Sequence, residues 1–373
     1  MNILIIFGTR PEAIKMAPLI QAISNNPKFN GKVCVTGQHR EMLQQVLDIF
    51  DIEPDYSLAT MTENQSLSEI FARLIESLGN ILHKEAPDAV AVQGDTATTF
   101  AASLAAYFQK IPVLHVEAGL RTGNMYAPWP EEGNRKLTAT LTRWHFAPTL
   151  VAKDNLLSEG FDPASVWVTG NTVIDSLHTV REKLSSDTEL YARLEKLYSF
   201  LNPDKRLILI TGHRRESFGR GFKNICIALA EISRRNDVEL IYPVHLNPNV
   251  KEPVQHALKN RPNIFLQEPV DYIEMVYLLQ RCYLVLTDSG GIQEEAPALG
   301  KPVLVMRDTS ERPEAIDAGT AMLVGTGKEQ IVSAVYKLLT DHKKYSSMAQ
   351  AINPFGDGTA AKQIIEILSR EWH

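Results

Sequence analysis

The residues best suited to acid–base chemistry follow short apolar runs in the first half of the chain. Asp95 comes after DAVAVQG, Glu117 follows PVLHV, and Glu131 stands in PWPEEGNR, where a helix is expected to begin. Carboxyl groups that lie near one another in a buried site shift one another's pKa, which suits proton transfer. Each also has an ordinary explanation, because Asp95 could cap a helix and Glu131 could offset a helix dipole. Our hypothesis is that the three carboxylates converge on one site.

Two cations follow the first apolar run, NILIIF. Arg10 precedes Pro11, a residue that fits the first turn of a helix, and Lys15 comes about one turn later. Their position just after a predicted strand indicates that both point toward an anion. The alternative is that they are solvated surface cations.

A phosphate site is predicted where the run LVLTD leads into a helix. Ser289, Gly290 and Gly291 expose backbone N–H groups at the helix start, where the helix dipole is positive. Glu295, in the next turn, can reach ribose hydroxyls while a phosphate occupies the helix start. The alternative is a capped helix without a ligand, because Ser-Gly-Gly is a common turn sequence.

Three more candidates follow predicted strands in the second half. His213 is its best-placed titratable group, either Arg214 or Arg215 can pair with an anion, and Arg312 adds a cation after PVLVM. A metal site built from Asp95, His115 and Glu117 has no diagnostic spacing, so no metal is predicted.

These residues require strands that end beside them. Short β-branched or apolar runs alternate with helical patterns along the chain, and this alternation is typical of an α/β fold with parallel sheets. Ligands of such sheets bind beyond the carboxyl ends of the strands. The predicted strands are 2–7, 32–37, 88–94, 112–118, 144–148, 166–170, 206–212, 238–244, 263–267, 284–288, 302–306 and 321–325.

The alternation is interrupted once, at the polar helical stretch 171–205, and then restarts. We therefore expect two Rossmann-like domains that face each other across a cleft. The predicted boundaries are 1–170 for a domain with the acid–base residues and 171–352 for a nucleotide-binding domain. Residues 353–373 contain a final helix that could belong to either domain.

Composition excludes several classes of protein. The 373 residues carry a net charge of −6 without a basic run, so binding to nucleic acid is not expected. Cys34, Cys226 and Cys282 are far apart and stand in apolar stretches, which favours buried thiols in a reducing cytosol. The sequence shows no signal peptide and no apolar run long enough to span a bilayer, so we expect a cytoplasmic protein.

Taken together, the loops resemble those of the bacterial non-hydrolysing UDP-N-acetylglucosamine 2-epimerases. The resemblance spans nearly the whole chain. It implies the glycosyltransferase-B architecture, with the final helix packed on the first domain. The implied activity is that of an isomerase that interconverts UDP-GlcNAc and UDP-ManNAc for surface polysaccharides. The resemblance also implies a homodimer that needs no redox cofactor or metal. The matching segments are FGTRPEAIKMAPL, TGQHREML, VQGDT, HVEAGLRT, PWPEEGNR, HFAPT, TGNTVID, TGHRRE, YPVHLNP, LTDSGGIQEEAPALGKPVLVMRDTSERPE and NPFGDG.

The resemblance also implies roles for individual residues. Asp95, Glu117 and Glu131 form the acid–base set around the sugar, and His213 joins them. Glu295 holds the ribose, and Arg312 lies near the ligand. The phosphates or the sugar face Arg10, Lys15, His213 and the amides of Ser289, Gly290 and Gly291, and the uracil lies between Val270 and Met275.

Some bacterial relatives bind a second UDP-GlcNAc as an activator. Positions that match this allosteric site are Gln38, Glu131, Arg214 and His245. Glu41 and Asn64 depart from it, because they stand where some relatives have a glutamine and an arginine. Glu41 places a negative charge near a proposed diphosphate, and Asn64 removes a cation.

The chemistry implied by the resemblance is an elimination. The C2 proton of the sugar is not beside a carbonyl, so the family eliminates UDP to a 2-acetamidoglucal and adds it back. The residues leave three alternatives open: a hydrolysing epimerase that releases ManNAc and UDP, a glycosyltransferase of the same architecture, and a catalytically silent nucleotide-sugar sensor.

Overall fold

The chain contains two compact units, each built around its own parallel sheet. The structure is a computed structural model, and it describes residues 1–37, 40–58, 65–212, 214 and 218–372. The first unit comprises Met1–Ser176 and Phe355–His373, and the second comprises Leu177–Pro354. In both units strands alternate with helices, which confirms the predicted α/β class.

The first unit has a seven-stranded sheet in the order β3-β2-β1-β4-β5-β6-β7, and every neighbouring pair is parallel. Parallel pairing requires crossover connections, and the helices between the strands supply them. The strands are β1 Asn2–Phe7, β2 Asn30–Val35, β3 Tyr56–Ser57, β4 Ala89–Gln93, β5 Val113–Val116, β6 Trp144–Ala147 and β7 Val166–Val168.

The second unit has a six-stranded parallel sheet in the order β10-β9-β8-β11-β12-β13. This order corresponds to the 3-2-1-4-5-6 order of doubly wound folds. All twelve predicted strands are confirmed, and the two-residue strand β3 was not predicted. The strands are β8 Arg206–Thr211, β9 Val238–Pro243, β10 Ile264–Gln267, β11 Leu284–Thr287, β12 Val303–Val305 and β13 Ala321–Leu323.

The helices of the first unit are α1 Arg10–Ser24, α2 Arg40–Ile49, α3 Leu67–Glu85, α4 Ala97–Phe108, α5 Glu131–Leu141, α6 Leu150–Ser158 and α16 Ala360–Glu371, with a 3₁₀ turn at Pro163–Ser165. The helix α7 Thr172–Ser186 runs from the first unit into the second. The other helices of the second unit are α8 Thr188–Leu197, α9 Arg220–Ile232, α10 Pro248–Leu258, α11 Tyr272–Arg281, α12 Gly290–Ala298, α13 Pro313–Asp317, α14 Lys328–Thr340 and α15 His342–Ala349. In the described part of the chain, no helix combines the length and the apolar character needed to cross a membrane.

Apolar strands form the core of each unit. Residues 3–7 of β1 and residues 207–210 of β8 are buried, as continuous apolar runs in parallel sheets require. The three cysteines Cys34, Cys226 and Cys282 are free and buried, and burial raises the pKa of the Cys282 thiol to about 12. They lie in the apolar interior as predicted.

The final helix, α16, belongs to the first unit. Asp175 in α7 accepts hydrogen bonds from the backbone amides of Ala360 (3.2 Å) and Ala361 (2.9 Å) at the start of this helix. At the other end the Trp372 ring lies 6.0 Å from the Trp144 ring. A carboxylate at the first turn stabilises a helix through its free amides, so Asp175 ties the C-terminal segment to this unit.

Candidate active site

The reversal of strand order determines where polar residues gather in each unit. In the first sheet the order reverses between β1 and β4, and in the second it reverses between β8 and β11. Loops after neighbouring strands diverge at such a switch point and leave a crevice that binds ligands. Arg10, Lys15 and Asp95 follow β1 and β4, whereas Arg214 and Ser289 follow β8 and β11.

Glu117, just after β5, is the most tightly held carboxylate of the first unit. The residue is 8% exposed, and its backbone has a φ of +62°, an uncommon conformation outside glycine. Its Oε2 accepts hydrogen bonds from Gln93 (2.9 Å) and Asn171 (3.3 Å) and forms an ion pair with Lys15. A strained backbone conformation persists where the surrounding contacts hold it, and here three donors, Lys15, Gln93 and Asn171, hold the Glu117 carboxylate.

Lys15 therefore lies against a carboxylate in this structure. Its side chain is 13% exposed, so the alternative of a solvated surface cation does not describe it. The predicted contact with a phosphate stays a prediction. Arg10, at the start of α1, is partly exposed and also stays a phosphate-binding candidate.

Asp95 is bound to helix α5. Its carboxylate forms an ion pair with Arg135, and its backbone carbonyl accepts a hydrogen bond from Asn134 Nδ2 at 2.9 Å. The same helix begins with Glu131, whose Oε2 is buried and has no hydrogen-bond partner among the residues that the structure describes. Asp95 therefore contacts the helix that carries Glu131. Gln93, at the end of the strand that precedes Asp95, is hydrogen-bonded to Glu117.

His115 fixes the backbone next to Asp95. Its ring is fully buried, and Nε2 lies 2.7 Å from the carbonyl oxygen of Gly94, so Nε2 carries the hydrogen. Burial lowers the pKa of His115 to about 4, which keeps the ring neutral at pH 7. Gly94 has a φ of +71°, a conformation that glycine adopts at no steric cost.

Glu12 secures the first strand-to-helix turn and does not face outward. It is 1% exposed and forms a capping box with Thr9, the N-cap of α1. Its carboxylate accepts hydrogen bonds from the amides of Gly8 (3.1 Å) and Thr9 (2.8 Å) and from the hydroxyl of Thr96 (2.7 Å). Burial raises the pKa of Glu12 despite these donors. The residue joins the turn after β1 to the turn after β4.

In the second unit, helix α12 presents backbone amides at its start. Its N-cap, Ser289, makes no side-chain cap hydrogen bond. Asp288, one residue earlier, accepts a hydrogen bond from the backbone amide of Arg214 at 2.8 Å, which brings the loops after β8 and β11 together. An added Cβ at Gly290 or Gly291 would lie no closer than 3.8 Å to another group, so a ligand can approach the backbone here.

Two carboxylates of α12 are held in place by residues from other elements. Tyr272 at the start of α11 donates a hydrogen bond to Glu295 Oε1 at 2.7 Å. Arg312, before α13, forms an ion pair with Glu294. Glu294 and Glu295 are buried, so each needs such a partner.

Three arginines surround Glu311. Its carboxylate lies 3.4 Å from Arg214 Nη2 and 3.2 Å from Arg307 Nη2, and its backbone carbonyl accepts a hydrogen bond from Arg312 Nη1 at 3.1 Å. Burial alone would raise the pKa of Glu311, but the positive charges of Arg214, Arg307 and Arg312 outweigh it and lower the pKa. This cluster places arginines at the ends of β8 and β12.

The remaining predicted residues differ in what the structure says of them. Val270 and Met275 are half-buried near the start of α11, and His245 is exposed. His213, Arg215, Gln38 and Asn64 lie outside the described residues, and Glu41 stands near the start of α2. In the described ranges, no cluster of three or more His, Cys, Asp or Glu side chains is arranged to hold a metal ion.

Several residues of these contacts were given no role from the sequence, among them Gln93, Asn171, Arg135 and Tyr272. Gln93 ends β4 and Asn171 follows β7, so the rule that polar residues at strand ends are candidates would have found both. Arg135 stands within PWPEEGNR, but only the carboxylates of that segment were considered for a role. Tyr272 starts a helix and carries no signal that separates it from an ordinary core tyrosine.

The chain is similar in sequence and fold to UDP-N-acetylglucosamine 2-epimerases. Residues 21–369 match the family model described as UDP-N-acetylglucosamine 2-epimerase. A relative from Yersinia pestis and one from Escherichia coli K12, both named UDP-N-acetylglucosamine 2-epimerase, are each 56% identical over 369 residues, or 99% of this chain and 98% of theirs.

The solved structure of UDP-GlcNAc 2-epimerase from Neisseria meningitidis bound to UDP-GlcNAc superposes with a TM-score of 0.94 at 51% identity, with both chains covered completely. The enzyme from Methanocaldococcus jannaschii, in complex with UDP-GlcNAc and UDP, gives a TM-score of 0.84 at 34% identity and covers 99% of this chain and all of its own. The predicted family and fold are thereby confirmed, and the chain belongs to the UDP-N-acetylglucosamine 2-epimerase family.

Proposed function

We propose that this chain interconverts UDP-GlcNAc and UDP-ManNAc as a non-hydrolysing 2-epimerase. The observation that carries the proposal is the full-length match at 51% identity to an enzyme that binds UDP-GlcNAc. The carboxylates found at the strand ends of the first unit are the residue types that the reaction needs. We further propose that the enzyme works in the cytoplasm as a homodimer, without a metal or redox cofactor, and supplies surface polysaccharide synthesis.

The proposed reaction is an elimination followed by an addition. A carboxylate takes the proton from C2 while the bond between C1 and the diphosphate oxygen breaks, which leaves UDP and a 2-acetamidoglucal. UDP then forms the C1–O bond again as a proton reaches C2 from the opposite face. Both steps need acid–base groups near the sugar and cations near the departing diphosphate.

The first unit supplies the carboxylates in this proposal. Asp95, Glu117 and Glu131 are the acid–base candidates, and His213 of the second unit joins them. Glu117 is held by Lys15, Gln93 and Asn171. A carboxylate fixed in this way keeps one orientation through the reaction, which lowers the entropic cost of proton transfer.

The second unit supplies the nucleotide site. The amides of Ser289, Gly290 and Gly291 and the arginines near Glu311 suit a diphosphate. Glu295, oriented by Tyr272, suits the ribose hydroxyls. Val270 and Met275 are the proposed neighbours of the uracil, and Arg10, Lys15 and Arg312 are the proposed side-chain contacts to the phosphates or the sugar.

Proton NMR in deuterated water tests the reaction. Incubation of the enzyme with UDP-GlcNAc should produce UDP-ManNAc with deuterium at C2, because the abstracted proton exchanges with solvent. Free ManNAc with UDP would indicate a hydrolysing epimerase. No turnover would favour the sensor or the transferase and would contradict the proposal.

Two substitutions test the acid–base set. Asp95→Asn and Glu117→Gln should each abolish deuterium incorporation while the far-ultraviolet circular dichroism stays unchanged. Glu159→Gln is the matched control, because Glu159 is a carboxylate of the same unit that pairs with Arg121 and Lys136. Normal exchange in either test variant would remove that residue from the mechanism.

Calorimetry with UDP tests the nucleotide site. Glu295→Ala should weaken UDP binding, by about 1–3 kcal/mol if the carboxylate holds a ribose hydroxyl. The control is Glu231→Ala in the same unit, whose carboxylate pairs with Lys328. Equal affinity in Glu295→Ala and wild type would exclude Glu295 from the site.

An activator site for a second UDP-GlcNAc is a further proposal, with Gln38, Glu131, Arg214 and His245 as its residues. Support comes from Arg214, which pairs with Glu311 in the arginine cluster. Initial rates with UDP-ManNAc as the substrate should then rise when a trace of UDP-GlcNAc is added. Hyperbolic kinetics that do not respond to UDP-GlcNAc would contradict this proposal.

A further inference from the structure

Arg135 joins two carboxylates in the first unit. Its Nη1 lies 3.2 Å from Glu132 Oε2, and its Nη2 is hydrogen-bonded to Asp95 Oδ2. The Arg135 side chain is 11% exposed and that of Glu132 is 0% exposed, so solvent screens the first of these pairs weakly. A guanidinium holds its N–H groups in a rigid plane, and contact with two carboxylates therefore fixes their relative positions.

Glu132 is anchored independently of Arg135. Its two carboxylate oxygens accept hydrogen bonds from the backbone amides of Thr122 (3.1 Å) and Gly123 (3.3 Å) in the loop after β5. A continuous chain of hydrogen bonds thus runs from this loop through Glu132 and Arg135 to Asp95. Its buried end, at Glu132, is held by backbone groups and not by mobile side chains.

Asp95 is the end of the chain that a substrate can reach. Its side chain is 28% exposed, whereas Arg135 behind it is nearly buried. The Asp95 backbone is held separately, by Asn134 at the carbonyl. Rotation of the carboxylate about its side-chain bonds is consequently restrained by Arg135.

Two polar atoms beside this chain of bonds have no partner in the described part of the protein. Arg135 Nε and Glu131 Oε2 are buried and make no hydrogen bond to any residue that the structure describes. Glu131 and Arg135 are four residues apart on α5, so both atoms belong to one face of the helix. Buried polar atoms are almost always hydrogen-bonded, and a bound ligand is a natural partner for such atoms at a candidate active site.

We propose that Arg135 is a positioning residue for the acid–base chemistry and that Glu132 holds it in place. Arg135 keeps the Asp95 carboxylate in one orientation toward the sugar, and Glu132 transmits the rigidity of the loop at Thr122 and Gly123 to Arg135. This inference rests on the proposed epimerase function. A purely structural ion pair is the competing interpretation, and kinetics can separate the two.

The decisive variant is Arg135→Ala, measured against wild-type turnover of UDP-GlcNAc. A misplaced carboxylate lowers the rate of proton transfer, so kcat should fall by about 100-fold. The KM for UDP-GlcNAc should change much less than kcat, because most of the groups proposed to bind the nucleotide lie in the second unit. Added guanidinium at millimolar concentration should restore part of kcat, since it can occupy the space and pair with Asp95. The control is Arg206→Ala, which removes an ion pair with Asp237 in the second unit, where the two side chains are 33% and 40% exposed. It should keep kcat and show no response to guanidinium.

A second variant guards against a failure to fold. Glu132→Gln keeps an oxygen that can accept from the loop amides but weakens the contact with Arg135, so kcat should fall by about 10-fold with an unchanged circular dichroism spectrum. A wild-type kcat in Arg135→Ala would overturn the inference. So would a loss that guanidinium does not restore, accompanied by a normal kcat in Glu132→Gln. If wild type itself does not turn over UDP-GlcNAc, the proposed function fails, and the inference fails with it.

Discussion

Acidification should destabilise the first unit through two neighbouring histidines. His115 in β5 and His145 in β6 are paired across the two strands and are 0% and 1% exposed. Burial lowers the pKa of His115 to about 4 and that of His145 to about 3, from 6.5 in an unfolded chain. Between pH 6.5 and these values, the unfolded chain binds two protons that the folded unit excludes. Stability is therefore complete above pH 6.5 and falls as the pH drops below it.

The size of the effect follows from the same values. Between pH 7 and pH 5, each histidine contributes a loss of about 2 kcal/mol in the free energy of unfolding, or about 4 kcal/mol for the pair. Asp175 acts in the opposite direction, because burial raises its pKa to about 6 and the folded unit takes up a proton first. Its contribution over the same range is a gain of about 1 kcal/mol, which reduces the loss to about 3 kcal/mol. Glu12, whose pKa burial also raises, reduces the loss further.

Urea unfolding at pH 7, 6 and 5, monitored by tryptophan fluorescence, measures this loss of stability in the first unit. The four tryptophans, Trp129, Trp144, Trp167 and Trp372, all belong to the first unit. His145→Phe isolates one histidine, because the ring packs 5.0 Å from Phe161 and an apolar ring suits that contact. Its loss between pH 7 and pH 5 should be smaller than that of wild type by about 2 kcal/mol. The control His83→Asn changes an exposed histidine and should follow wild type. Parallel pH profiles for His145→Phe and wild type would refute the reasoning.

Two further predictions concern backbone turns of the first unit. Gly119→Ala should lower the free energy of unfolding by about 3 kcal/mol or more, because φ is +92° and the new Cβ would lie 2.1 Å from the carbonyl oxygen of Ala152. Gly160→Ala, with φ +89° and open space around the new Cβ, should lower it by only about 1 kcal/mol. Equal losses in urea unfolding would contradict the steric argument. Glu12→Gln should lower the free energy of unfolding by about 2–3 kcal/mol, because a buried amide nitrogen would replace an acceptor oxygen. Glu69→Gln, in an exposed capping box, should cost about 0.5 kcal/mol, and a similar loss at both sites would exclude burial as the cause.

The strands and the fold class were predictable because the signal is local. Each predicted strand is a short apolar run, and burial of both sheet faces demands such a run. Strand β3, Tyr56–Ser57, is two residues long and half-exposed, so no run marks it. The predicted strand 112–118 extends past the observed strand Val113–Val116 at its end, because residues 117 and 118 belong to the loop that carries Glu117.

The candidate site was predictable in its positions but not in its pairings. Asp95, Glu117, Lys15 and Ser289 were selected because they follow strands, and the structure places each of them there. The partners of these residues lie far away in sequence, such as Lys15, which is 102 residues from Glu117. Only the order of the strands brings such residues together, and a single sequence does not state that order.

Charge pairing within each unit connects these observations to binding. In the first unit Lys15 pairs with Glu117 and Arg135 pairs with Asp95, so both carboxylates proposed for acid–base chemistry have a cation as a partner. In the second unit Arg214 and Arg307 pair with Glu311, and Arg312 pairs with Glu294. A carboxylate at each arginine holds the side chain in place before a ligand arrives. Preorganised cations of this kind lose little conformational entropy on binding, so the second unit suits a diphosphate and the first suits proton transfer.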